Sequence, residues 1–278
     1  MRILTVAAMA TSLFAADISA ATKIKANLFS NGADESISLM KETNDSHDYA
    51  NPNFSMSIGD DKAGATVKIT TDGGNLNAAQ TTQTIWFKPV DAVKVTLGHV
   101  GAKSIFNPQF GWWAQTANMW SHGYQCDVTV DALSFTAVLA GGEGGYWFDA
   151  SKAGFNKVGN FWVDAKYSAS IGSLQAFVTK GATVGAHGYS NWATSPLAIG
   201  VAYANMPYLQ TGYGADVVLS FKDNGSNGVE FQGIDAQIGG QFGMNGMLIQ
   251  LTNLVQYRDA FKYGFELKAR YGIGAFEP

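Results

Sequence analysis

From Thr22 onward, apolar and polar residues alternate with period two, and almost nothing repeats at helical spacing. Ile24, Ala26 and Leu28 alternate with Lys23, Lys25 and Asn27, and Ala65, Val67 and Ile69 alternate with Thr66, Lys68 and Thr70. The longest example sets Phe261, Tyr263, Phe265, Leu267, Ala269, Tyr271 and Ile273 against Lys262, Gly264, Glu266, Lys268, Arg270 and Gly272. In an extended chain successive side chains point to opposite faces, so each such segment predicts a strand with one apolar face. About fifteen can be drawn, near 23–30, 35–42, 54–59, 64–71, 82–88, 91–99, 124–130, 133–140, 161–169, 173–180, 197–204, 211–221, 229–238, 246–253 and 260–273. They predict a single all-β domain of consecutive antiparallel strands.

The connections alternate in length. Short ones at Gly59–Ala63, Pro89–Asp91, Asp131–Ala132, Ser170–Gly172 and Gly239–Asn245 interleave with longer or more polar ones at 43–53, 72–81, 100–123, 141–160, 181–196 and 222–228. Tight turns at one rim and large loops at the other are expected of an outer-membrane barrel. A β-sandwich also supplies strands and turns, but it does not require that regularity.

Composition bears on which solvent the apolar face meets. Charged residues make up 14% of the 278 residues, against about 25% in an average soluble domain. The polar face is mostly Ser, Thr, Gly, Gln and Asn, which suits a confined aqueous lumen better than bulk water. Aromatics gather near strand ends (Trp86 and Phe87 beside Pro89, Tyr203 and Tyr208 around Pro207), as in the girdles of membrane barrels. For the hairpin "IWFKPVDAVKVTLG", residues 85–98, this predicts Ile85, Phe87, Val93, Val95 and Leu97 towards lipid and Trp86, Lys88, Lys94 and Thr96 towards the lumen. Every backbone polar group in hydrocarbon must be paired, so a spanning sheet has to close into a barrel.

The N-terminus carries Arg2, an apolar stretch from Ile3 to Ala16, and the small residues Ser19, Ala20 and Ala21. This predicts a signal peptide over 1–21, cleaved after Ala20 or Ala21, with the barrel domain over 22–278. No later window holds 18 apolar residues without charge, which excludes a helical membrane protein. Cys126 is the only cysteine, so no intrachain disulfide forms, and a net charge of −4 offers no basic surplus for nucleic acid.

The export signal, the amphipathic strands and the hairpin form aromatic, Lys, Pro, x, Asp in "FKPVD" resemble bacterial outer-membrane porin-type β-barrels, from about Lys23 to Ile273. The resemblance implies an antiparallel transmembrane up-and-down β-barrel, passive diffusion of small polar solutes, contact with outer-membrane lipid, and assembly as a homotrimer. Even strand numbers are usual in such barrels, so the expectation is about 14–16 strands. The ending "YGIGAFEP" repeats the order of Phe87-Lys88-Pro89 at Phe276-Glu277-Pro278, as though the chain stopped in a turn with its last strand lacking, or as though Phe276 were the terminal aromatic with two residues added.

Candidate chemistry is sparse. His47, His99, His122 and His187 lie in or beside expected loops without metal-ligand spacing, and Asp48 or Ser121 neighbours a His only in sequence. In "DNGSNGVE", 223–230, Ile234 stands where a calcium loop needs Glu, and "GGEGGY", 141–146, lacks the Lys-Ser/Thr of a phosphate loop. No catalytic residue, metal or cofactor is expected. The segment 106–120 offers Phe106, Trp112, Trp113 and Trp120, which at the outer rim could narrow the pore, contact ligand or pack the loop against the wall. The expected pore-lining charges are Lys25, Lys68, Lys94, Asp164, Lys166, Asp216, Glu266, Lys268 and Arg270, whose mixed signs predict weak selectivity. The expectation is therefore a bacterial outer-membrane porin. The alternatives are an adhesin or structural barrel acting through loops 100–123 and 141–160, and a soluble secreted β-protein.

Overall fold

The computed structural model describes residues 15–21, 53–72, 75–106, 117–141, 148–152, 157–185, 193–194, 197–207, 210–224 and 228–271. The chain divides into two compact units, one of Met1–Asp91 with Thr96–His99 and one of Ala92–Val95 with Val100–Pro278. The expected strands at 23–30 and 35–42 lie outside the described residues.

The first unit holds β1 (Ala15–Ala21), β2 (Asn53–Gly59), β3 (Ala63–Asp72) and β4 (Asn75–Val90), each antiparallel to the next. β1 lies inside the expected export segment and sets Asp17 opposite Ser57 of β2. Asp60 closes the β2–β3 turn, its Oδ1 accepting the Lys62 and Ala63 amides at 2.8 and 2.9 Å. Those donors hold its carboxyl below the ordinary carboxylate value. Lys62 also donates to the Asp91 carboxylate, lowering that group in turn. Ile85 and Phe87 are exposed and Trp86 and Lys88 half-buried, in line with the faces expected for the first strand of the 85–98 hairpin. In the second strand Thr96 is buried, but Val93, Val95 and Leu97 are half-buried like Lys94, so burial does not separate its faces. The connection expected over 72–81 is largely strand: β3 runs to Asp72, β4 begins at Asn75, and Thr70 faces Gln80. Polar Thr and Gln side chains do not end a strand, because the ladder is made by the backbone.

The second unit is a meander. It contains both ends of β5 (Val93–Lys103), whose Thr96–His99 belongs to the first unit, and then β6 (Ala117–Val130), β7 (Leu133–Ala140), β8 (Asn160–Ala169) and β9 (Gly172–Lys180). The short β10 (Thr183–Val184) and β11 (Ala193–Thr194) precede β12 (Leu197–Asn205), β13 (Gly212–Asp223), β14 (Val229–Met244), β15 (Met247–Tyr257) and β16 (Phe261–Tyr271). Each main strand from β6 on pairs antiparallel with the next, β9 passing directly to β12. Among the described residues β16 pairs with β15 alone, leaving its second edge without a ladder.

Two connections differ from expectation. The turn expected over Gly239–Asn245 is Asn245-Gly246 alone, with β14 continuing to Met244. Both turn residues have positive φ, 50° and 81°, the geometry in which a two-residue Asn-Gly turn matches strand twist. The connection expected over 100–123 shortens to 104–116, because β6 gains a partner at its start: Ala117 and Asn118 pair with Val184 and Thr183 of β10.

Burial alternates along these strands in the sense opposite to that of a soluble domain. On one face Gln250, Gln256, Asp235 and Asp216 are at most 1% exposed, whereas on the other Phe261, Phe265 and Leu267 are 63–69% exposed. Tyr213, Val217, Ile238, Leu251 and Tyr257 extend that apolar face across β13–β15. In water so much apolar area would oppose folding at about 25 cal/mol per Å².

Candidate functional site

The inner, buried face of the second unit is where chemistry converges. After β5 the chain turns onto this face at Ser104, whose amide donates to the Ala117 carbonyl at 3.0 Å. Its hydroxyl donates to Asp216 Oδ2 of β13 at 2.7 Å. The Ile105 amide donates to Gln175 Oε1 of β9 at 2.9 Å, and Gln175 Nε2 returns a bond to the Lys103 carbonyl at 3.2 Å. Phe106 follows, fully buried. Its ring covers Gly214 and Gly239, paired residues of β13 and β14, where added Cβ atoms would come within 2.5 and 3.2 Å of it. The two glycines therefore form a seat that larger residues would fill.

A second group of residues lies on the same face. β10 pairs with both β6 and β11, and the Val184 carbonyl accepts from Arg258 at 3.0 Å. Arg258 also pairs with Asp235 at 2.9 Å, Asp235 being fully buried and bonded by Gln256 Nε2 at 2.6 Å. Between these anchors an apolar cluster includes Val100, Met119, Val138, Trp162, Phe177 and Val184. Trp162 stacks on Phe177 at 4.5 Å, its Nε1 donating to Asp164 at 2.7 Å. The inner wall is thus part polar and part dry, with short segments of chain laid across it and pinned by Gln175 of β9, Asp216 of β13 and Arg258 of the β15–β16 connection.

No family model matches the chain, and no curated protein matches it. Solved structures do. Two engineered triple mutants of the Rhodopseudomonas blastica porin each align over 94% of this chain and 91% of theirs, at 14% identity and a TM-score of 0.52. A third mutant of that porin aligns over the same shares with the same score. The fold is the porin-type β-barrel. At this identity the likeness concerns architecture, and it agrees with the outward apolar face and the consecutive antiparallel strands.

Within this porin fold the expected site residues separate. Phe106 reaches the inner wall, whereas Trp120 stands 61% exposed on the outer face of β6, its ring over Gly101 of β5. Trp112 and Trp113 lie outside the described residues, as does Lys25. Asp164 and Asp216 are on the inner face but buried, engaged by Trp162 and Ser104. Lys94 and Lys166 are half-buried, and Lys68 is exposed on β3 of the first unit. Glu266 and Lys268 form an ion pair at 2.8 Å. Arg270 sits on β16 opposite Leu248. Ser104, Gln175, Asp235, Arg258 and the Gly214–Gly239 seat were not singled out from sequence. The one available signal was glycine at alternate inward positions, Gly212 and Gly214, beside Gly239.

Proposed function

We propose that the chain is an outer-membrane porin through which small hydrophilic solutes diffuse passively. The observation that supports this reading is the Ser104–Phe106 segment held across the inner wall between anchors on β9 and β13–β14, where it would narrow a lumen. The exposed apolar face supports contact with membrane lipid. Export would remove residues 1–21, including β1, and the mature 22–278 would assemble as a homotrimer in a bacterial outer membrane. The expected pore-lining charges Lys25, Lys68, Lys94, Asp164, Lys166, Asp216, Glu266, Lys268 and Arg270 mix signs, so the pore would discriminate weakly between small cations and anions. The protein acts as a channel rather than an enzyme.

Planar-bilayer recording of the purified, folded protein tests the reading. Stable ohmic steps with a cation-to-anion permeability ratio near unity are expected. Folded protein that inserts and never opens such steps would refute it. N-terminal sequencing of the mature protein from outer membranes checks the cleavage site.

A further inference from the structure

On the outer face of β12–β15 the apolar surface is interrupted. Ala215 and Gly240 are small, while Tyr213, Ile238, Phe242 and Leu251 stand around them, enclosing a groove of about 600 Å³. The floor is open: a Cβ added at Gly240 meets nothing nearer than the Gly212 carbonyl oxygen at 3.6 Å. Register places Tyr213 and Leu251 on either side of Gly240, and Ala215 beside Ile238, so the groove crosses three adjacent strands.

We propose that this groove seats one acyl chain of a membrane glycerophospholipid. Three features select hydrocarbon. Its walls are apolar, and two polar groups at its margin already bond within the protein: Tyr203 donates to the Ile171 carbonyl and Asn253 accepts from Tyr263 at 3.0 Å. The lining thus favours an apolar occupant. The dimensions match: at about 3.4 Å per residue, positions 238–242 span roughly 14 Å, about half of a 30 Å hydrocarbon core and so one leaflet, and two strand spacings give a width of about 10 Å. That footprint is several-fold smaller than the roughly 800 Å² that each partner brings to a standard protein interface, which argues against a second copy. The groove is also continuous with the exposed apolar face that the proposed function assigns to lipid, and the inference rests on that reading. Tyr203 and Tyr213, with ring centroids 5.6 Å apart, close its end towards the β12–β13 connection, where aromatic side chains meet headgroups.

The test is photo-crosslinking in lipid nanodiscs containing a phosphatidylethanolamine with a diazirine in its acyl chain, followed by peptide mapping. Adduct yield on the peptides carrying Tyr213 and Ile238–Phe242 is expected to exceed that on β16 by fivefold or more, although Phe265 is the more exposed residue. Gly240→Leu should abolish the excess while conductance stays as in the parent, and Ala215→Leu serves the same purpose should the first variant fold poorly. Uniform labelling along β13–β16, or an excess that survives both substitutions, would overturn the proposal. Loss of oligomers in either variant, with labelling unchanged, would overturn it in favour of a second copy. Failure of the parent to insert or conduct would instead remove the porin reading itself, so the two failures are distinguishable.

Discussion

Phe106→Ala tests whether the segment across the inner wall is a docked element with its own stability. Phe106 is fully buried over Gly214 and Gly239, and truncating such a ring costs about 3–5 kcal/mol. The remaining anchors are the Ser104–Asp216 bond, worth about 0.5–3 kcal/mol, and the Gln175 pair at about 0.5–1.5 kcal/mol per bond. The ring thus supplies roughly half of the docking. Its loss shifts the docked-to-undocked ratio by roughly 100- to 4,000-fold at 1.4 kcal/mol per decade. The strands keep their ladders, so thermal loss of the β circular-dichroism signal should barely move. Single-channel recording should show larger mean conductance with rapid current fluctuations, and Ser104→Ala added to Phe106→Ala should lengthen the high-conductance dwell times. Conductance and noise identical to the parent in both variants would refute the docking argument.

Asp235→Ala leaves the Arg258 guanidinium without its buried carboxylate, a change that costs about 3–5 kcal/mol where a buried pair is broken; a lowered unfolding midpoint in detergent is expected, and an unchanged midpoint would show the pair to be idle. Asn245→Val forces a β-branched residue to φ near 50°, costing on the order of 1–3 kcal/mol and lowering the urea midpoint of folding into liposomes. In the β2–β3 turn the folded pKa of Asp60 lies below its unfolded value near 3.9, so its contribution is present above that pH and is lost as pH falls through the folded value. Hydrogen exchange at the Lys62 and Ala63 amides, corrected for intrinsic rates, should lose protection only below about pH 4, and Asp60→Ala should remove the pH dependence. Protection that persists unchanged to pH 2 would contradict this.

Most strands were legible because period two is a local property: the segments near 54–59, 124–130, 133–140, 161–169, 173–180 and 260–273 correspond to β2, β6, β7, β8, β9 and β16. Strand ends were less legible, since a ladder stops where its partner stops rather than where the alternation does. β6 starts at Ala117 because β10 is there to pair with it, and β4 extends back to Asn75 through Thr and Gln. The Asn245-Gly246 turn was readable from its residue types, but it was hidden by the glycines at 239, 240 and 243, which look like a loop. Gly239 stays in strand and forms part of the seat for Phe106.

Alternation, low charge and aromatic strand ends were sufficient by themselves to specify an antiparallel meander with its apolar side turned outward, because these follow from side-chain period and solvent preference. The sequence could not show which inward residues meet. Ser104 lies 112 positions from Asp216, and nothing local to either residue encodes that bond. Asp164 and Asp216 look like pore charges in one dimension; in three they lie buried on the inner face, bonded by Trp162 and Ser104. Tertiary structure decided that, because the inner face of one strand is completed by side chains from strands far along the chain.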